Sequence, residues 1–218
     1  MNNYFLLNNL PQNHKGIFIT GTDTGVGKTH ITFLLAKYLL GQNLDVSIMK
    51  PISCGPKKES DALYLKEKLK LKDPLELINP IHFEKPLAPY PASGFKMNKT
   101  KLDKIFSAYK KLSSIHDLVL VEGIGGVMVP ITKNYFVADL IKQLNIPAII
   151  VARAGLGTIN HTLLTVEILR RKKIDILGII LNGHNGSDLS EKTNARIIEE
   201  ISKAPILAKI RQMGKAKA

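Results

Sequence analysis

Gly27-Lys28-Thr29 closes a glycine-bearing turn, GTDTGVGKT, which follows an apolar run and opens an amphipathic stretch. That order suits a phosphate cradle. Backbone N–H groups and a helix N-terminus hold the phosphates, Lys28 meets the β/γ charge, and the Thr29 hydroxyl reaches Mg²⁺. The usual P-loop spacing puts a glycine at the position of Thr22, whereas here it stands one residue earlier, at Gly21. Strand, turn and helix signals are all in place, so a non-functional Gly-rich turn is the weaker reading.

Three further residues could work with this cradle. Lys50 ends a second apolar run, VSIMKP, and could add positive charge where phosphoryl transfer develops negative charge. Asp61 begins a helical pattern after a short loop, where it could cap the helix or bind metal. Glu122 stands at the end of DLVLVEG, a costly place for an acid unless a metal or a partner uses it. Thr29, Asp61 and Glu122 together make a plausible all-oxygen Mg²⁺ set. Partitioning ATPases and the nitrogenase iron protein carry a signature lysine where this chain has Asp23, so a dimerising ATPase switch of that kind is disfavoured.

Positioning these groups requires a sheet. GIFIT, DVSIMK, DLVLVEG, AIIVA and ILGIILN read as strands, continuously apolar as in a parallel sheet covered on both faces, and PILAKI could add another. Helical patterns lie near 28–41, 60–71, 100–113, 135–144, 158–173 and 189–203. The alternation predicts a doubly wound α/β fold of the P-loop NTPase kind, a single domain over residues 1–218 with a mostly parallel sheet and helices on both faces. The proline-rich segment 73–98 reads as an ordered loop over one end of the sheet. Ligands in such sheets bind at the carboxyl ends of the strands, where the motifs should converge.

Composition narrows the class. The 218 residues, 44% hydrophobic, can bury a full core, and the longest apolar run, Ile146 to Ala152, is too short to cross a bilayer. The start, MNNYFLLNNLPQNHKG, lacks the basic opening of a signal peptide. Cys54 is the only cysteine, which fits a reducing cytosol. These features predict a cytoplasmic protein that does not bind membrane. The formal charge of +13 raises the question of nucleic acid, but the lysines are scattered over helical stretches beside carboxylates and only the tail KIRQMGKAKA is purely basic. Solvated helix faces, and small anionic substrates, account for it without nucleic acid.

GTDTGVGKT, KPISCG, SDAL, VEGIGG and GLGTINHTLLT, in this order from about Lys15 to Asn182, resemble dethiobiotin synthetases. The resemblance implies a cyclising ligase of biotin synthesis. One amine of 7,8-diaminopelargonic acid captures CO2 as a carbamate, ATP phosphorylates it, and the second amine closes the ureido ring with loss of phosphate. It implies Lys50 as the key catalytic lysine, helped by Lys28, with Thr29, Asp61 and Glu122 handling Mg²⁺. ATP would contact Thr24, Gly25, Val26, Gly27, Lys28, Thr29, His30, Asp61, Glu122, Gly123 and Gly125, and also Asn182 and Gly183 at the adenine. Ser53, Cys54, Gly157, Thr158, Ile159 and Asn160 would bind the diamine, the last four across the interface of a homodimer with shared active sites.

The family usually has Thr or Ser where this chain has Cys54, which implies a weaker contact to substrate there. Its Ile-Pro-hydrophobic segment appears as Ile210-Arg211-Gln212 without the expected last helix, which implies a more open base pocket. His161, beside the Gly157 loop, reads as packing or capping rather than as a general base. A corrinoid-type amidoligase shares the P-loop variant but would normally carry a glutaminase domain, for which this length leaves no room.

Overall fold

The computed structural model describes residues 14–186 and 188–211. In chain order its strands and helices are β1 (Gly16–Gly21), α1 (Lys28–Leu40), β2 (Val46–Met49), β3 (Ile52–Cys54), α2 (Asp61–Lys68) and α3 (Leu75–Ile78). There follow β4 (Ile81–Phe83), α4 (Pro89–Ala92), α5 (Lys99–Ile115), β5 (Leu118–Gly126), β6 (Pro130–Thr132) and β7 (Tyr135–Phe136). The chain continues through α6 (Val137–Leu144), β8 (Ala148–Arg153), α7 (Thr158–Arg171), β9 (Ile176–His184), α8 (Asn194–Ser202) and β10 (Ile206–Arg211).

Six of these strands form one sheet in the order β10-β9-β8-β1-β5-β2, and every pairing in it is parallel. Strand side chains alternate between the two faces. Phe18, Val119, Val121 and Ile150 therefore pack with α5, α6, α7 and α8, while Ile17, Ile19, Leu120 and Ile149 pack with α1 and Leu65 of α2. Both faces are covered, which is why the strands read as unbroken apolar runs. The chain goes from β1 out to β2, returns to β5, and then crosses β1 to reach β8. That reversal opens a crevice above the carboxyl ends of β1 and its neighbours. The doubly wound α/β architecture read from the sequence is the one observed.

The segment 73–98 is more than a loop. It contains α3, β4 and α4, and β4 pairs in parallel with β3 as a small second sheet. Its prolines hide these elements because β4 has no local partner. The pattern at 135–144 divides into β7 and α6, and the one at 189–203 into a 3-10 turn, Leu189–Lys192, followed by α8.

His116 staples the opposite end of the sheet. It stands 3.0 Å from Asp45 before β2 and 3.0 Å from Asp73, which also accepts the Ser47 hydroxyl at 2.6 Å. Burial works to lower the imidazole pKa, but the hydrogen bonds and charges of Asp73 and Asp45 outweigh it and hold it above the usual value. Burial would raise Asp73, yet Ser47, His116 and Lys66 keep it below the usual carboxylate range. A raised histidine stabilises the fold fully below the unfolded value, about 6.5, and that contribution is lost as pH climbs through the folded value. His116→Ala should therefore lower the melting temperature by about 2–4 °C, roughly 1 kcal/mol, near pH 6 and by much less near pH 9. Equal losses at both pH values would exclude the charged staple.

Candidate active site

Gly27, at φ 90°, is the left-handed N-cap of α1, and no side chain caps that helix. Its first N–H groups thus face the crevice, free for an anion. A Cβ on Gly27 would come within 2.1 Å of Asn182 Nδ2, so glycine is required on space as well as on φ. Asn182 Nδ2 donates to the Val26 carbonyl at 2.9 Å, and Arg153 meets Asp23 at 3.0 Å. The phosphate loop is thereby tied to the ends of β9 and β8.

The adjoining cleft has a volume of about 620 Å³ and brings together Thr24, Gly25, Gly27, Lys28, Thr29, Lys50, Ser53, Cys54, Asp61, Glu122 and Gly125. Lys50 follows the last residue of β2 and is 3% exposed, and Glu122 on β5 is fully buried. Lys50 Nζ donates to Glu122 Oε1 at 2.6 Å, Asp61 Oδ2 at 2.9 Å and the Gly123 carbonyl at 3.1 Å. Burial works to lower the Lys50 pKa, but Glu122 and Asp61 outweigh it and hold the ammonium above its usual range. Burial would likewise raise Asp61, yet Lys50 keeps it below the usual carboxylate range. The Asp61 side chain serves Lys50, while Ser60 is the N-cap residue of α2. The buried acid that looked costly in the sequence is therefore matched by an ammonium, although β5 runs past it to Gly126.

Thr29 Oγ1 donates to Glu122 Oε1 at 2.8 Å, and Glu122 Oε2 is buried without a hydrogen-bond partner. A hydroxyl, a carboxylate with an unmatched oxygen and the Asp61 carboxylate suit a hard cation that keeps phosphate and water ligands. The residues present fit Mg²⁺. Among the described residues no group of three His, Cys, Asp or Glu side chains is arranged to hold a metal.

Lys28 Nζ donates to the Asp23 carbonyl at 3.0 Å. Burial and the nearby Lys50 charge lower its pKa to about 8. Phosphates favour the charged form, so nucleotide binding above that value must take up a proton. ATP affinity should then fall as pH rises past 8, by up to about tenfold per unit. Calorimetry in two buffers of different ionisation enthalpy reads the uptake, and an affinity flat to about pH 9.5 would contradict it.

Burial pushes the half-buried Cys54 thiol up to about 11 against the pull of Lys50, so at neutral pH it is a weak neutral donor. The neighbouring Ser53 hydroxyl cannot replace it, since it is engaged by Asn79 at 2.7 Å and His82 at 2.8 Å. Cys54→Thr should keep turnover, with a substrate KM level or lower by up to about fivefold, the net worth of one neutral hydrogen bond. A tenfold rise in KM by steady-state kinetics would mean that the site does not accept a hydroxyl in place of the thiol.

Several expected residues lie outside this cleft. His30 is half-buried, its pKa depressed by burial, and it does not line the cleft. Asn182 grips the loop and Gly183 turns at φ 85° beyond it. Gly157, Thr158, Ile159 and Asn160 form the left-handed N-cap and first turn of α7, with Thr158 buried and Asn160 exposed. A carboxylate distant in sequence, Asp188, takes the Leu156 N–H at 2.9 Å just before that turn. His161 is exposed and lines a second groove of about 430 Å³, so the packing role expected for it is not what the structure has. The base-pocket expectation rests partly on Gln212 and the tail, outside the described residues, as is the N-terminal stretch 1–13. Sequence reasoning missed Asn79 and His82. It also missed Glu191, which accepts the Gly186 N–H at 2.8 Å, pairs with His184 and so shapes the loop after β9.

A family model described as an AAA domain matches residues 15–217. A protein of Endomicrobium trichonymphae named ATP-dependent dethiobiotin synthetase BioD is 42% identical over 199 residues, 89% of this chain and 91% of its own. One of the same name from Methanocaldococcus jannaschii is 46% identical over 179 residues, 80% and 82% of the two chains. This chain belongs to the dethiobiotin synthetase family. The fold reaches wider than the family. MinD in the MinC:MinD cell division complex of Aquifex aeolicus superposes with a TM-score of 0.59 at 19% identity, covering 93% of this chain and 83% of that one. Within dethiobiotin synthetases the cleft residues above can be given chemical tasks.

Proposed function

We infer that this chain is an ATP-dependent dethiobiotin synthetase that closes the ureido ring on 7,8-diaminopelargonic acid and CO2. The observation that carries the reading is Lys50, buried between Glu122 and Asp61 in the same cleft as the phosphate loop. A carbamate and a triphosphate repel each other, and two lysines at the point of contact offset that repulsion. Gly25 to Thr29 hold the phosphates through backbone N–H groups, and Lys28 neutralises the β/γ charge. Lys50 leaves its carboxylates for the carbamate oxygen as phosphoryl transfer begins, and then steadies the mixed anhydride for attack by the second amine. Thr29, Asp61 and Glu122 would hold Mg²⁺, whose positive charge would offset the negative charge of the phosphate oxygens.

The diamine's carboxylate would be held by the α7 N-terminus of a second subunit. That turn does not line this chain's own cleft; Leu156 just before it is 82% exposed, and Leu164, 59% exposed, lines the second groove. Exposed apolar side chains of this kind support an interface there.

The test incubates the protein with ATP, Mg²⁺, bicarbonate and the diamine, and looks for the ureido product by mass. ATP hydrolysis stimulated by DNA, with no product, would favour a partitioning-type switch instead. Among the described residues no helix is long and apolar enough to cross a membrane.

A further inference from the structure

The wall of the cleft beside Lys50 holds a chain of hydrogen bonds that ring closure leaves unused. Ser53 and His82 are register partners across the β3–β4 pair, and both line the cleft. Asn79 Nδ2 donates to the carbonyls of Lys50 at 2.7 Å and Ile81 at 3.0 Å. Both partners are acceptors, so the amide has one orientation and its Oδ1 can only accept. The Ser53 hydroxyl, 2.7 Å from that oxygen, must direct its single proton there. Toward His82 Nδ1, 2.8 Å away, Ser53 Oγ can then only accept, so the ring carries its proton on Nδ1. The other nitrogen, Nε2, is buried and stands 3.3 Å from Glu84 Oε1 without the alignment of a hydrogen bond.

The chain therefore runs one way, from His82 through Ser53 and Asn79 to the Lys50 carbonyl. The Lys50 N–H is held from the same segment, donating to the Ile78 carbonyl at 2.6 Å. The backbone that launches the Lys50 side chain is thus clamped on both sides by residues 78–79, and the clamp is keyed by the histidine.

We propose that His82 is a positioning residue for Lys50: its Nδ1–H orders the Ser53–Asn79 pair, and that pair fixes the peptide from which Lys50 reaches the reacting groups. This rests on the reading of Lys50 as the catalytic lysine. Small displacements of such a group are costly, because the charge must stand where the transition state needs it.

Two measurements test it on the full chain. The first is long-range ¹H–¹⁵N correlation at about pH 9, where a neutral imidazole shows which nitrogen bears the proton. The His82 signals are identified by their loss in His82→Asn. The expected ring is protonated on Nδ1 in the wild type and moves its proton to Nε2 in Ser53→Ala. An Nε2–H ring in the wild type, or no change in Ser53→Ala, overturns the proposal. The second is kinetic. His82→Ala should lower kcat about tenfold or more with the ATP KM within about twofold, and His82→Asn, whose amide nitrogen can stand where Nδ1 stood, should restore most of it. Wild-type kcat in His82→Ala, or equal losses in both variants, overturns it. Should His82→Ala fail to fold, the proton position in the wild type and Ser53→Ala decides. A wild type that makes no ureido product defeats the function reading, yet leaves the proton position as an independent result.

Discussion

Lys50→Ala is expected to lower turnover by a factor on the order of 10² or more, the effect of removing a preorganised charge from the transition state. ATP affinity should change much less, since the phosphates are held by the loop and Lys28. Stability should also fall. Glu122 is fully buried, and removing the ammonium 2.6 Å away leaves it without its charged partner, a change that costs about 3–5 kcal/mol in a buried pair. Kinetics therefore belong beside melting curves, with Lys50→Gln as a companion that keeps a donor for the carboxylates. Single-turnover assays on folded variants read the chemical step directly. Near wild-type turnover in either variant would remove Lys50 from the reaction.

Mixing two inactive variants should regenerate activity. One is Lys50→Ala, the other Gly157→Trp. Gly157 sits at φ 87° with open space where a Cβ would point, so the indole would project outward at some cost in backbone strain. If the α7 turn serves the neighbouring subunit, each heterodimer carries one site with both halves intact. Random exchange of equal amounts then recovers about a quarter of wild-type activity, since half the dimers are mixed and each has one good site of two. No recovery despite exchange demonstrated by mass would mean that each site is built within one chain.

The parts of this protein that were legible in the sequence share a physical reason. Lys50 and Glu122 stand at or near the ends of apolar runs, where a charged residue is conspicuous, and Lys28 is marked by the glycine-bearing turn before it; the runs themselves follow from burial on both faces of the sheet. What stayed hidden depends on partners remote in the chain. Asp61 reads as a cap or a metal ligand, and its pairing with Lys50 stays hidden because that lysine stands outside its own helix. β4 exists only because β3 lies beside it, and the prolines around it argue locally for a loop. Asn79, His82, His116 and Glu191 are ordinary polar residues until the fold supplies Ser53, Asp73 and the turn after β9. No local pattern marks them.

The pairing of Lys50 with Glu122 and Asp61 also bears on which small molecules can inhibit the protein. Two ammonium groups, Lys28 and Lys50, share the cleft floor with two carboxylates, so positive charge there is largely answered from within. A simple polyanion competes with those carboxylates and gains little from Lys50. A compound with an amine to take over Glu122 and Asp61, and an acidic group to receive the displaced Lys50, engages both signs at once. Screening for blockers of the Lys50 side of the cleft should therefore start from amino acids, with phosphate mimics directed at the loop of Gly25 to Thr29.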